Sequence, residues 1–563
     1  MSSHINIMIG GEAGQGVQSA GFILAKTLSR AGYHVFADQD YESRVRGGHN
    51  FYRVRAADSE VSAISESLDI LVALNEESID LHLDELTSDG AAIVNTEDVE
   101  GRSSKTSYAV PFDQLTDDRI MVNTVALGAA FGLIDFEIAI LEKVLEDQYG
   151  TGKSGKANIE AARAGYYYIR DNKRNLSLHP VKPINREKKM LLNGNEAIAL
   201  GAIASGCRYV SSYPMTPSTS IMEYIAARAD EHGIVVMQAE DEVAAINNIV
   251  GAGYAGVRSM TTTSGSGFCL MVEGLGLAGI TETPVVIIDA QRPGPAVGLP
   301  TRTEQGDLQF ALTAHHGEFP RIVLAPANIE DCFWLTVEAF NLADIYQTPV
   351  IILTDQYLAS SYATVDTFDL SKVFIDRGEQ YSGNPAEYRR HAITESGISP
   401  RAFPGMSEAL VVTDSDEHDE YGHLTEDADI RSEIVLKRLR KMDGLDRNIL
   451  KPWKYGNENP ETLLVSWGSS YGAVRETVDI LNGKGMDAGM INLNHLSPFP
   501  AEAVTNAMNN ASRSIVVEGN ATGQLANLIR TETGVNVDTK ILKFDGRPIT
   551  PGFIIEKLGK EVR

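Results

Sequence analysis

The chain has 563 residues, 43% of them hydrophobic, which is enough for roughly three domains of about 150 residues with real cores and argues against general disorder. Its formal net charge of −27 weighs against nucleic-acid or acidic-membrane binding, both of which need basic surface. No run of about 18 apolar residues is present, and "MSSHINIMIGGEAGQG" lacks the basic start and apolar region of a signal peptide, so a cytoplasmic protein without a membrane span is expected.

The first block opens with an apolar strand near Ile5–Ile9, a glycine-rich turn from Gly10 to Gly16, an amphipathic helix over Val17–Ala31 and a second strand, "HVFADQD". Strand, helix, strand implies a parallel, right-handed α/β unit. Gly11, Gly14 and Gly16 have the spacing G-x-x-G-x-G, which differs from the dinucleotide fingerprint. Two readings stay open there: a tight turn, or close backbone approach to a phosphate or nucleotide at a helix start. "ESRVRGGHNFYRVR" then brings Arg44, Arg46, Arg53 and Arg55, either as salt-bridged surface cations or as partners of a phosphate or carboxylate.

A polar segment from Ile169 to Lys189 reads as a linker. The second block, about 190 to 370, alternates helices with the strands "IVVMQA", "RSMTTTS", "PVVIIDAQ", "RIVLAP" and "TPVIILTDQ". Four strand-end segments carry unusual chemistry: "SSYPMTPS", "MQAEDE", "TTTSGSG" and "AQRPGP". Open parallel sheets bind ligands outside the carboxyl ends of their strands, so these segments mark one site. The two prolines of "SSYPMTPS" stiffen its loop. Glu240 stands where a strand meets a helix; Asp241 and Glu242 fit the acidic first turn that a helix dipole favours. Gly251, Gly253, Ala255 and Gly256 make a small helix flank suited to tight packing.

From 371 to 455 the regularity drops, and the acidic run "TDSDEHDEYGHLTEDAD" is a solvated connector or, less simply, an Asp/Glu/His metal site without diagnostic spacing. The last block, 456–563, restarts as a small parallel α/β domain. Cys207, Cys269 and Cys332 form no CxxC, so a cluster or zinc site held by this chain alone is not expected; each reads as a small buried hydrophobe.

"YPMTPST", "MQAEDEVAA", "TTTSGSGFCLMVEGLGLAG" and "DAQRPGPAVGLPT" resemble the α subunit of the 2-oxoacid:ferredoxin oxidoreductases. "GGEAGQGVQSAGFILA" with "SRVRGGHNFYRVR" resembles that family's γ subunit, here fused ahead of α as in the 2-oxoglutarate type. "SWGSSYGAVRE" and "EGNATGQLANLIR" resemble the second α domain. The implied architecture is three α/β domains with parallel sheets: a γ-like domain at 1–180, a pyrimidine-binding domain at 190–370, the connector at 371–455, and a transketolase C-terminal-like domain at 456–563.

The resemblance implies a thiamine diphosphate enzyme that oxidatively decarboxylates a 2-oxoacid, acylates coenzyme A and passes electrons through iron–sulfur clusters to ferredoxin. Glu240 matches the glutamate that activates the cofactor's aminopyrimidine, and the "MQAE" register favours it over Glu242. Tyr213 and Pro214 would line that cofactor. Arg292 and Thr216 match the residues that hold the substrate carboxylate. Gly11, Gly14 and Gly16 would approach the nucleotide of coenzyme A, and Ser43, Arg44 and Arg46 the far carboxylate of 2-oxoglutarate. The chain has neither the G-D-G motif of a diphosphate–Mg2+ site nor cluster cysteines, so the resemblance implies a β subunit carrying Mg2+ and a [4Fe–4S] cluster, in an (αβ)2 assembly. Pyruvate or branched 2-oxoacids are the alternative substrates, and a non-catalytic nucleotide-binding protein is the alternative of another class.

Overall fold

The computed structural model describes residues 4–43, 47–96, 107–172, 178, 180–406, 408–445 and 451–561. It divides into two compact units, one of Met1–Leu192 with Ser360–Thr367 and Thr550–Arg563, the other of Asn193–Ala359 with Phe368–Ile549. No helix among the described residues is long and apolar enough to cross a membrane.

The first unit is built on an eight-stranded sheet in the order Ser107–Val110, Leu86–Asn95, Leu68–Ala73, His4–Glu12, His49–Ala57, His34–Asp40, Tyr362–Val365 and Met190–Asn193. The strand His4–Glu12 is buried along all but its two end residues, which is why it reads as a continuous apolar run. Helix Val17–Arg30 lies against the strand His49–Ala57, and Gly21 lets it come close, since a Cβ there would overlap the Tyr52 ring. The expected strand His34–Asp40 does run parallel to the first strand. The sequence reading misses His49–Ala57, which is inserted between the two and antiparallel to both. The sheet is therefore mixed. Two of the four arginines noted above belong to that inserted strand and serve the fold: Arg53 donates to Ser65 O at 3.0 Å and Arg55 to Ala63 O at 2.8 Å.

The second unit holds two sheets. The larger orders its seven strands as His495–Ser497, Ile322–Leu324, Pro349–Asp355, Val285–Gln291, Ser259–Thr263, Tyr209–Ser212 and Val235–Gln238, all parallel except the first. The smaller orders Trp453–Gly456, Ala488–Leu493, Thr462–Trp467, Arg513–Glu518 and Thr539–Leu542, with only Trp453–Gly456 antiparallel. Three sheets flanked by helices, two of them mostly parallel and the first mixed, agree with the expected α/β class.

The small helix flank behaves in two ways: a Cβ at Gly253 would fall 2.4 Å from Pro284 O, whereas Gly251 faces open space, so only part of the flank packs tightly. The region 371–455 is not a solvated tether. It carries the helix Ala428–Arg440, and Arg390, His391, Arg401, His418, Lys437 and Lys441 are all buried. Cys207 and Cys332 are buried as expected, but Cys269 is exposed, on the outer side of the short helix Gly265–Leu270.

Candidate functional site

In the larger sheet of the second unit, Tyr209–Ser212 is followed in sequence by a strand on one side of it and then by Ser259–Thr263 on the other. The strand order reverses there, and at such a reversal open parallel sheets characteristically form a ligand crevice at the carboxyl ends of the strands. The loop after Tyr209–Ser212 is the proline-stiffened "YPMTPS". Its start is pinned to the neighbouring strand, where Ser212 Oγ accepts from Thr262 N at 2.9 Å. Its end is pinned by Asn195, whose Nδ2 donates to Pro217 O and to Ser220 Oγ, each at 2.8 Å.

Arg292, just past the strand Val285–Gln291, spans the crevice. Its Nη1 donates to Thr216 O at 2.7 Å and its Nη2 reaches Ser266 Oγ at 3.5 Å. Thr216 and Arg292 are thus brought together as expected, although the contact uses the threonine carbonyl and leaves its hydroxyl for another partner. Arg292 is buried, and its Nε has no partner. Burial lowers its proton affinity, and the nearby Asp307 and Asp289 pull it back up.

Buried polar atoms without partners gather around this point: Glu242 Oε1, Ser264 Oγ, both oxygens of Asp289 and Asp307 Oδ2. Leaving such atoms bare is costly in a folded chain, so their concentration at one set of strand ends marks a place built to receive polar groups. Asp289 lies opposite Thr263 and Leu353 in the sheet, wholly buried. Burial, and then the charge of Asp307, pushes its carboxyl well above the usual range. Asp307 is raised to about 6 by burial and by Glu304, with Arg292 opposing.

Glu240 and Tyr213 are exposed on the same edge, and Pro214 and Thr216 are half-buried. Asp241 caps the helix Glu242–Tyr254 by accepting from Ala244 N at 2.7 Å. Glu242, the first helical residue, turns inward and packs on Gly267, where a side chain of any size would collide with its carboxyl. Sequence reasoning sets Glu242 aside and overlooks Asp289 and Asp307 altogether. The available signal was an aspartate near the end of an apolar strand, "VVIIDAQ", followed by "EQGDL".

In the first unit, Gly14 and Gly16 have φ of 103° and 73°, which only glycine adopts readily, and Gly16 caps the helix Val17–Arg30. Gly11 closes the turn through its neighbours: Glu12 N donates to Gln15 Oε1 at 2.8 Å, filling the space beside Gly11. The inserted strand begins at this end of the sheet, where Glu12 pairs with His49. His49 Nε2 bonds His82 Nε2 at 2.8 Å, and His82 Nδ1 bonds Glu85 at 2.7 Å. Ser43 is exposed; Arg44 and Arg46 lie outside the described residues.

The acidic run contributes His418 to a buried group with Glu282 and His391 whose ligand atoms lie within 4.8 Å of one another. Lys437 Nζ sits 2.6 and 2.9 Å from the two Glu282 oxygens, and Lys441 also pairs with that carboxylate. A cation would face two ammonium groups, so the cluster reads as an internal charge balance rather than a metal site.

Comparison with known proteins adds to this geometry. Residues 6–168 match the family model "Pyruvate ferredoxin/flavodoxin oxidoreductase", residues 200–437 match "Pyruvate flavodoxin/ferredoxin oxidoreductase, thiamine diP-bdg", and residues 460–554 match "Pyruvate:ferredoxin oxidoreductase core domain II". The 2-oxoacid:ferredoxin oxidoreductase subunit alpha of Sulfolobus sp is 34% identical, with 99% of this chain and 96% of that protein covered. The 2-oxoglutarate synthase subunit KorA of Archaeoglobus fulgidus is 36% identical over 65% of this chain and 97% of its own length. A solved structure of 2-oxoglutarate:ferredoxin oxidoreductase from Magnetococcus marinus, with 2-oxoglutarate, coenzyme A and succinyl-CoA bound, matches with a TM-score of 0.94 at 31% identity and covers 100% of both chains. With motifs, fold and full-length relatives in agreement, the chain belongs to the 2-oxoacid:ferredoxin oxidoreductase family and corresponds to its α subunit.

Proposed function

We propose that this chain, with a β subunit, oxidatively decarboxylates 2-oxoglutarate in the presence of coenzyme A to give succinyl-CoA and CO2, with the electrons delivered to ferredoxin. The single observation that carries the reading is Arg292, bound to Thr216 O and aimed at Ser266 across the crevice of the larger sheet. A planar guanidinium held at two points and free at Nε is suited to a charge-assisted bond with a carboxylate. The carbonyl contact fixes the direction of the arginine, so the substrate anion meets a preorganised partner. The Thr216 hydroxyl is the proposed second donor.

The strand-end edge fits thiamine diphosphate as the resident cofactor, because it offers an exposed carboxyl at Glu240, an exposed ring at Tyr213 and bare buried polar atoms behind them. When bound, the cofactor supplies the electron sink that decarboxylation needs. Glu240 would hold the aminopyrimidine by accepting or sharing a proton at a ring nitrogen. Its exposure in this chain suits a site that a partner covers. A second assignment within the same reading is Glu242, favoured by its burial and its unpartnered Oε1.

The β subunit is proposed to carry the diphosphate–Mg2+ site and a [4Fe–4S] cluster, in an (αβ)2 assembly; that this sequence has no G-D-G motif and no paired cysteines supports the proposal. Gly11, Gly14 and Gly16 are proposed to approach coenzyme A. Ser43, Arg44 and Arg46 are proposed partners of the distal carboxylate, on residue chemistry alone. That a full-length structural relative was solved with 2-oxoglutarate and coenzyme A supports this substrate over pyruvate.

The test is co-expression with the β subunit, followed by 2-oxoacid- and CoA-dependent reduction of ferredoxin or a viologen dye. Turnover with 2-oxoglutarate is expected; none with any 2-oxoacid refutes the reading. Glu240→Gln should abolish turnover and Glu242→Gln should not; the reverse result moves the role to Glu242. Arg46→Ala should harm 2-oxoglutarate more than pyruvate, and equal effects would argue against distal-carboxylate recognition.

A further inference from the structure

Two carboxyls lie beside Arg292 that the proposed reaction leaves unused. Asp289 is fully buried, and neither of its oxygens has a hydrogen-bond donor. Asp307 sits at the start of the helix Leu308–Thr313, with its backbone N–H donating to Gln291 Oε1 at 3.0 Å. Its carboxyl occupies the space a Gly265 side chain would need, since a Cβ there would fall 2.7 Å from Asp307 Cγ. The Gly265–Ser266 turn therefore carries Asp307 on one residue and Arg292 on the next. Asp307 Oδ2 is also without a partner. Asp307 differs from Asp289 in keeping part of its surface, so it alone can exchange a proton with solvent.

Both bonds of Arg292 go to uncharged oxygens. One guanidinium thus faces a buried acid and a half-buried one, and among the described residues no other cation supplies a bond to either. Ionising both is costly, because Asp289 has neither a hydrogen bond nor solvent to stabilise a second negative charge. Asp289 keeps its proton, and Asp307 is left as the partner whose charge answers to Arg292.

We propose that Asp307, backed by Asp289, is a positioning residue that couples a proton to substrate binding: as the 2-oxoacid carboxylate engages Arg292, Asp307 takes up one proton from solvent. The proposal rests on the function proposed above. A second anion on Arg292 shares the positive charge that had held Asp307 ionised, so the carboxyl becomes a better base when the site fills. The proton forms an O–H bond at the bare oxygen of Asp307 and is lost again when the substrate leaves.

The sign follows from the groups that face Asp307. Burial and then Glu304 raise it, Arg292 opposes them, and the net value is about 6. Asp289 stands behind it on the strand, and Glu242 and Cys269 stand on the two neighbouring helices. In the free enzyme Asp307 ionises as pH rises through about 6; in the complex it stays protonated to higher pH. Between those two values binding consumes a proton. The kcat/KM for the 2-oxoacid should therefore fall as pH rises above about 6, approaching tenfold per pH unit.

The experiment uses the enzyme reconstituted with its β subunit. The expected result is a falling limb in kcat/KM for 2-oxoglutarate that Asp307→Asn flattens; a purely structural role would lower the whole profile by one factor and keep its shape. As a measurement that needs no variant, N-oxalylglycine is titrated into the wild-type enzyme by calorimetry in buffers of different ionisation heat near neutral pH. Uptake of close to one proton per site is expected. Binding with no proton uptake, or an unchanged falling limb in Asp307→Asn, overturns the proposal and leaves the assigned reaction standing. Failure of any 2-oxoacid to bind overturns both.

Discussion

Two of the places where the second unit buries charge treat it in opposite ways. Where the segment 371–455 docks, the buried acids Glu282 and Asp344 are each paired with cations. Glu282 is completely buried and takes Lys437, Lys441 and His391 on its carboxylate, with His391 Nδ1 at 3.0 Å. Burial alone would push Glu282 up, but the two lysines and the histidine outweigh it and hold the carboxyl well below its usual range. Asp344 likewise receives Arg258 Nε at 2.8 Å and Arg401 Nη1 at 3.4 Å. At the strand ends near Arg292 the buried acids have no such partners. A chain able to neutralise a buried carboxylate three times over at one place, yet leaving Asp289 bare at another, has kept the second place for something it binds.

The sharpest way to break this comparison is to unpair the dock. Glu282→Ala leaves Lys437 and Lys441 facing each other in a dry interior, and a loss of about 3–5 kcal/mol is expected. Burial already holds Lys441 down to about 7, so the lysine would escape part of the cost by losing its proton. The denaturant midpoint of the variant measures the loss. A fall no larger than that of the exposed-pair control Lys143→Ala would show that the dock is not held by its charges. Replacing Glu282, Lys437 and Lys441 together by methionine should restore most of the stability, because the desolvation cost disappears with the charges.

The next largest effect lies on the other side of the comparison and appears in catalysis instead of stability. Arg292→Lys keeps the charge, but a single ammonium cannot hold Thr216 O, Ser266 Oγ and a planar carboxylate together. A loss in kcat/KM on the order of a hundredfold is expected. The thermal midpoint should hardly move. A large drop in the midpoint would mean that Arg292 belongs to the fold, as Arg258 does. Gly267→Ala sits between the two classes: its Cβ would press on Thr263 and on the Glu242 side chain, costing about 1–3 kcal/mol. Melting curves check that figure, and a neutral result would mean that Glu242 has room to swing away.

Much of this was legible in the sequence because it lies in strand ends and loops of fixed chemistry. The parallel strands of the second unit read as apolar runs, and "YPMTPS" and "AQRPGP" announced a site since proline and arginine at strand ends have few structural uses. Three features were not legible. His49–Ala57 alternates arginines with apolar residues, and its insertion between two parallel strands is a choice of tertiary pairing that no local pattern encodes. The dock of 371–455 depends on partners more than a hundred positions away, such as the Lys437 contact with Glu282, so its residues look like a solvated acidic run. Asp289 lies near the end of an apolar strand and Asp307 precedes a short helix; each has an ordinary local explanation, and only the sheet brings them beside Arg292.

The smallest expected effect discriminates best between the two regions. Asp289→Asn replaces a carboxyl that already keeps its proton, raised by burial and by Asp307, with an amide of nearly the same shape. No hydrogen bond is lost, because neither oxygen accepts one. Stability should change by less than about 1 kcal/mol, since no paired charge is broken. The same chemical change at Asp344 removes the charge facing Arg258 and Arg401, and about 3–5 kcal/mol should be lost. Parallel denaturation of the two variants measures the difference directly. Equal losses would mean that Asp289 has an undetected partner and that the bare acids near Arg292 are ordinary core. A near-zero loss at Asp289 beside a severe one at Asp344 would show that stability alone does not require an acid at this strand end, which leaves the bound substrate as the reason for it.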